Sequence, residues 1–277
     1  MAMNGQGTSC LVQQPTLADR RFVGYGLWGI GKIVRNFDDA LLQDFMDRFY
    51  GYGNYQGSYW LVGMEEGGGN SFEDIERRLE TWRKRGRREI EALAEYHVEM
   101  GITALFRKRP KIQATWGKLI RVILAAQGQL PTTNQVRAYQ RDRLGRLAGD
   151  TCLLELLPLP SPSTGHWLYA DHSQLPYLAS RTKYQEALLS KRISHLQQRI
   201  RQHRPKIILC YSYGYQAYWR EIAGIDFSPA VDGQFYVAHG GSTLFIITKH
   251  PATPGLSNSY FHQLGNAIIT LFDNSYV

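Results

Sequence analysis

Three carboxylates and one imidazole sit in or beside apolar runs, where chemistry could concentrate. Glu65 and Glu66 follow the run YWLVGM (59–64) and open onto three glycines, Gly67 to Gly69. Glu155 lies inside the apolar stretch LLELL, and His250 follows STLFIIT after a single lysine. A carboxylate beside a reacting centre can align water and steady a developing positive charge. A histidine N–H can steady a developing negative one. The plain alternatives are a solvated acidic turn, a core glutamate with a partner, and a structurally satisfied histidine. Cysteine offers little. Cys10, Cys152 and Cys210 are too few for the four thiolates of an iron–sulfur cluster, and no CxxC pair exists for zinc. Cys152 and Cys210 read as buried free thiols. Gly24, Gly26 and Gly29 form a literal GxGxxG. No buried strand precedes it and no helix opens at it, so a Gly-rich loop is preferred to a dinucleotide site. No metal and no cofactor are expected.

These residues need elements to hold them. The chain has 277 residues, 43% of them hydrophobic, enough for a sizeable core. Strands are predicted at 59–64, 151–157, 206–211 and 243–248. Helices are predicted at 38–48, 71–99, 115–126, 181–203 and 257–271, and in YQAYWREI. This alternation predicts an α/β fold, a single domain with a central, mostly parallel sheet flanked by helices. Residues 1–36 are an N-terminal loop or extension, and 37–277 form the domain. Ligands of such sheets bind beyond the carboxyl ends of the strands. EEGGG, PLPSPS, YSYG and KHPATPGLSN all fall there, around one cleft.

Charge points to the partner. Thirty-two basic residues against 24 acidic ones give a net charge of +8. Residues 77–88 hold seven Arg or Lys in twelve positions, and FRKRPK (106–111) adds four more. An excess this dense favours a polyanion. No apolar run reaches the roughly 20 residues that span a membrane. Met1 to Gln14 is polar, without the apolar core of a signal peptide. A cytoplasmic protein with no obligate protein partner is expected.

LVGMEEGGG (61–69) and ITKHPATPGLSNSYF (247–261) resemble the two signature motifs of the uracil-DNA glycosylase superfamily. RPKIILCYSYGYQAYW resembles that family's strand and glycine turn, and LLELLPLPSP stands where its base-reading strand would be. The resemblance spans 59–271, with about 70–105 as an insertion. It implies a uracil-DNA-glycosylase-like fold and a metal-free, monofunctional DNA glycosylase. Such an enzyme acts on a base flipped out of a duplex or held in single-stranded DNA. Gly63, Met64, Glu65, Glu66 and Gly67 overlay the first motif, so Glu65 takes the place of the group that orients water. Glu66 replaces the usual proline, which leaves either glutamate as the active one. His250 overlays the donor to the departing base, and Leu256 the wedge that fills the gap it leaves. Lys249, Ser257, Asn258 and Tyr260 are candidate phosphate contacts. Phe106 falls near the position of the base-stacking aromatic, with a core role equally open.

Two departures bear on the base. Uracil readers carry an asparagine where this chain has Glu155. An ionised carboxylate only accepts, which suits the N4 amino group of cytosine and repels uracil O4. A protonated one could still serve uracil. Uracil readers also place a bulky aromatic against C5, where this chain has Gly67. Together these imply a cytosine with a large C5 substituent, such as glucosylated hydroxymethylcytosine of phage DNA, and a role in phage defence. A uracil or hypoxanthine repair glycosylase, a non-catalytic DNA-binding member of the fold, and an unrelated α/β enzyme for a phosphorylated small molecule are the alternatives.

Overall fold

The structure is a computed structural model and describes residues 35–273. The GxGxxG segment, Cys10 and nearly all of the 1–36 extension lie outside the described residues. In chain order the elements are α1 (Asp39–Arg48), β1 (Gly51–Gly53), β2 (Tyr59–Gly63), α2 (Phe72–Lys84), β3 (Ile90–Glu91), α3 (Leu93–Glu99), α4 (Ala114–Ala126), α5 (Thr133–Asp142) and β4 (Thr151–Glu155). They continue with α6 (Tyr169–His172), α7 (Arg181–His203), β5 (Ile207–Tyr211), α8 (Gln216–Ala223), β6 (Ser228–Ala230), β7 (Phe235–Gly240), β8 (Thr243–Thr248) and α9 (Asn258–Asp273).

Local chemistry sets the helix starts. The Asp38 carboxylate accepts from the Leu41 N–H at 3.0 Å, and the Ser180 hydroxyl accepts from Lys183 at the head of α7. Thr132 and Gln135 form a reciprocal capping box at α5. The predicted helix 71–99 is interrupted. Gly86 and Arg87 take left-handed backbone (φ +91° and +55°), which ends α2 and lets β3 join the sheet before α3 begins.

The sheet has eight strands in the order β3-β1-β4-β2-β5-β8-β7-β6. The central four, β4-β2-β5-β8, are mutually parallel and are the four strands predicted. The whole sheet is nevertheless mixed, which corrects the expected mostly parallel arrangement. β1 runs antiparallel to β4, and β6, β7 and β8 form an antiparallel meander. The added strands carry too little apolar alternation to be visible in sequence. β1 is hidden in a Tyr-Gly stretch that reads as a loop. A Cβ on Gly51 would lie 2.0 Å from the Leu153 carbonyl oxygen, so glycine is there because two backbones nearly touch. Gly51→Ala is expected to cost about 2–3 kcal/mol, through that clash and its φ of +143°, as read by chemical denaturation.

The core is continuous along the sheet. Trp60, Leu154, Ile208 and Ile246 are fully buried at its centre. Cys152 and Cys210 are buried free thiols, and burial raises both pKa values, which makes them inert. Among the described residues, no helix is long and apolar enough to cross a membrane. Part of the basic excess is spent internally. Arg78, Arg83, Arg85 and Arg87 of the 77–88 run all form intramolecular ion pairs.

Candidate active site

The parallel strands β4, β2, β5 and β8 are neighbours, so their carboxyl ends lie side by side. A cavity of about 550 Å³ opens there. Met64, Glu65, Glu66, Gly67, Glu155 and His250 all line it. Three strands supply them: the first four follow β2, β4 ends on Glu155, and His250 lies two residues beyond β8. The chain keeps pairing past the strand ends. Leu156 and Leu157 N–H donate to the Gly63 and Met64 carbonyls at 2.9 and 2.7 Å. Arg192, buried on α7, donates to the carbonyls of Leu156, Glu155 and Phe49 at 2.7–2.8 Å. Its guanidinium lies 3.5 Å from the Tyr50 ring centroid. One cation thus fixes the end of β4 where Glu155 emerges.

Neighbouring glutamates have opposite surroundings. Glu66 is held by Arg78 at 2.7 and 3.3 Å, by the Tyr52 hydroxyl at 2.8 Å and by His97 Nε2 at 3.3 Å. Burial pushes its carboxyl up, but Arg78, His97 and Tyr52 outweigh it and hold the pKa at about 2. Its acceptor sites are filled. Glu65 meets a single guanidinium nitrogen, Nη1 of Arg181, at 2.5–2.6 Å. Burial outweighs that cation and raises its carboxyl above the ordinary range. Glu65 therefore keeps acceptor capacity and basicity toward the cavity. Arg181 also donates to the Ser161 hydroxyl and to the Ser163 and His166 carbonyls, tying the 161–166 wall to Glu65.

Glu155 has no such partner. Its Oε1 is 3.5 Å from the Tyr211 hydroxyl, and its buried Oε2 has no hydrogen bond. Burial, then the charges of Glu66 and Glu65, push its pKa far up. Gly63 makes room for this corner, since a Cβ there would fall 2.2 Å from the Tyr211 hydroxyl and 2.6 Å from Glu155 Oε2.

His250 is poised as a donor. The Ala252 N–H donates to its Nδ1 at 3.0 Å, so the neutral ring carries its proton on Nε2. Burial and then the Lys118 charge lower its pKa, favouring that neutral ring. Lys118 donates to the Pro251 and Leu256 carbonyls at 2.7 and 3.0 Å and pins the loop.

The remaining predicted residues stand apart from the cavity lining. Phe106 is half-buried behind it, 6.1 Å from the Trp116 ring and 6.0 Å from His97. Trp116, predicted only as the apolar side of a helix, lines the cavity instead. Lys249 and Leu256 are half-buried in the C-terminal loop, while Ser257 and Asn258 are exposed beside it. Tyr260 is buried, and its hydroxyl donates to the Gln234 carbonyl and meets Thr248 Oγ1 at 2.8 Å. It packs within the fold and does not face a phosphate. Arg78, His97, Arg181, Tyr211 and Trp116 were absent from the sequence-based site. Arg78 and His97 come from the 70–105 segment, which thus builds a cavity wall. Among the described residues, no group of three His, Cys, Asp or Glu side chains could hold a metal ion.

Compared with known proteins, the chain matches no protein-family model and no curated protein.

Proposed function

We propose that this cavity is the active site of a monofunctional DNA glycosylase of the uracil-DNA-glycosylase type. The supporting observation is the convergence of Glu65, its carboxyl raised above the ordinary range, and an Nε2–H tautomer of His250 on one cavity. In this reading a flipped nucleotide places its base in the cavity. The C1′–N bond breaks and its electron pair goes to the base, steadied by His250 Nε2–H. Glu65 takes a proton from water as the oxygen bonds to C1′, leaving an abasic sugar and a base anion. The anion becomes the free base on taking up a proton from solvent, while Glu65 returns its own to solvent. Glu66 is the buried anchor of the wall, and Trp116 is the stacking surface. The exposed cations Arg107, Lys108 and Arg109 extend from a loop whose Leu105 lines the cavity. They suit the phosphates of the bound strand.

The favoured base is a cytosine with a bulky, hydroxyl-rich C5 group. A Cβ on Gly67 would meet nothing within 4 Å, so the wall is open where an aromatic would close it. The volume suits a drug-sized ligand better than a bare pyrimidine. Asn70, Asp74, Ser163 and Thr164 line the same cavity and could bind sugar hydroxyls. Gly67→Phe is then expected to fold normally and to slow release of the glucosylated base by about 10- to 100-fold. That matches the ~1–3 kcal/mol cost of overfilling a packed site. Release of a small base would be spared. The test of function is alkaline cleavage of duplex and single-stranded oligonucleotides carrying uracil, hypoxanthine, cytosine, hydroxymethylcytosine or its glucosylated form. Strand breaks only with the glucosylated base would support this reading and a role in defence against phage with modified DNA. Breaks at uracil or hypoxanthine would make it a repair enzyme. DNA binding without breaks would make it a non-catalytic member of the fold.

A further inference from the structure

Three glutamates share the cavity, but cations serve only two of them. Arg181 pairs with Glu65, and Arg78 and His97 pair with Glu66. Among the described residues, no Lys, Arg or His forms an ion pair with Glu155. Arg192 reaches the Glu155 backbone carbonyl and not its carboxyl. Tyr211, the other polar side chain against it, is a phenol at 3.5 Å. The buried Oε2 is left without a partner. A lone carboxylate here would face two like charges with no counter-ion, whereas a carboxylic acid would face none of that repulsion. Glu155 is part of the cavity lining.

We propose that Glu155 works as a protonated carboxylic acid that reads the base edge with one donor and one acceptor. This rests on the glycosylase reading above and deepens it. The acid O–H donates to cytosine N3 while its carbonyl accepts from N4–H. Against uracil the same group donates to O4 and accepts from N3–H. The neutral acid therefore complements both pyrimidines. It positions the ring and leaves discrimination to the C5 side, at Gly67 and the polar groups beyond it. The ionised form, by contrast, would set an acceptor against cytosine N3 and against uracil O4.

The groups facing Glu155 are Glu65 and Glu66 after β2, Tyr211 on β5 and Arg192 on α7. Burial and the two glutamates oppose ionisation; Tyr211 and Arg192 favour it weakly. As pH rises, loss of the Glu155 proton removes the donor, so base release falls on the alkaline side. Glu155→Gln supplies a donor and an acceptor that do not titrate.

The experiment measures single-turnover release from the panel's cleaved substrate against pH for wild type, Glu155→Gln and Glu155→Ala. Infrared difference spectra of wild type minus Glu155→Gln, taken at neutral pH, provide a readout independent of activity. Expected are the carbonyl stretch of a protonated acid and an alkaline fall that Glu155→Gln abolishes. Glu155→Gln should be slower by about tenfold and Glu155→Ala by about 100-fold, the span of one bidentate base contact. Absence of the acid band overturns the proposal, as does an identical alkaline fall in Glu155→Gln. Full activity of Glu155→Ala overturns it too, while leaving the glycosylase reading intact. If no panel base is released by wild type, the glycosylase reading fails, and base reading by Glu155 fails with it even if the band is present.

Discussion

Glu65→Gln is expected to lower single-turnover base release by about 10³-fold, near 4 kcal/mol in the barrier. The amide keeps the shape of the side chain but cannot take a proton from water or oppose positive charge at the sugar. Thermal stability should fall as well, because Arg181, its side chain only 14% exposed, loses its counter-ion, although its second guanidinium nitrogen keeps its bonds to Ser161 Oγ and to the Ser163 and His166 carbonyls. DNA affinity should also be retained, so the loss falls on the chemical step and not on binding. Rates at saturating enzyme, with melting curves on the same preparation, check this. A loss of rate explained wholly by unfolding would contradict the assignment of Glu65.

Glu66→Gln is expected to act on stability, at a cost of about 3–5 kcal/mol. Arg78 is buried, with its side chain only 6% exposed, and Glu66 is its counter-ion. An amide would turn an N–H donor toward that guanidinium or toward the Tyr52 hydroxyl. The pH dependence has a definite sign. The folded carboxyl sits at about 2 against an ordinary value of 4.5. The unfolded chain therefore binds its proton first as pH falls. The contribution is full above about pH 4.5 and is lost on the way down to about pH 2, amounting to on the order of 3 kcal/mol. Urea melts of wild type and variant across that window should converge. Glu155, with its raised pKa, has the opposite slope above the ordinary carboxylate range, outside that acid window.

The two glutamates show what the sequence could and could not convey. That Glu65 and Glu66 end an apolar strand is plain from YWLVGMEE. Which one is free to act is decided by Arg181, Arg78 and His97, up to 116 residues away, and no local pattern encodes those meetings. Fold legibility follows the same division. α7 and the four central strands were readable because they are long, capped or continuously apolar. β1 was missed because Gly51 and Gly53 mark a close backbone approach and not a turn. β7 was missed because its half-buried residues alternate weakly. The 71–99 helix looked unbroken because propensity does not register the left-handed pair Gly86–Arg87. In the site, His250 stood out through its Pro- and Gly-rich loop. Trp116 was hidden by its place on an amphipathic face, where an aromatic reads as core. Tyr260 was misjudged for the opposite reason, since a Tyr in the first turn of a helix that follows a polar loop packs inward.

The central claim is that water attacks C1′ and releases an intact base. Reaction in water labelled with a heavy oxygen isotope, followed by mass spectrometry of both products, tests it most directly. The account requires one labelled oxygen on the abasic sugar and none on the freed base, with Glu65→Gln slowing the appearance of both about 10³-fold. Label on the base, or strand scission without a free base, would contradict it.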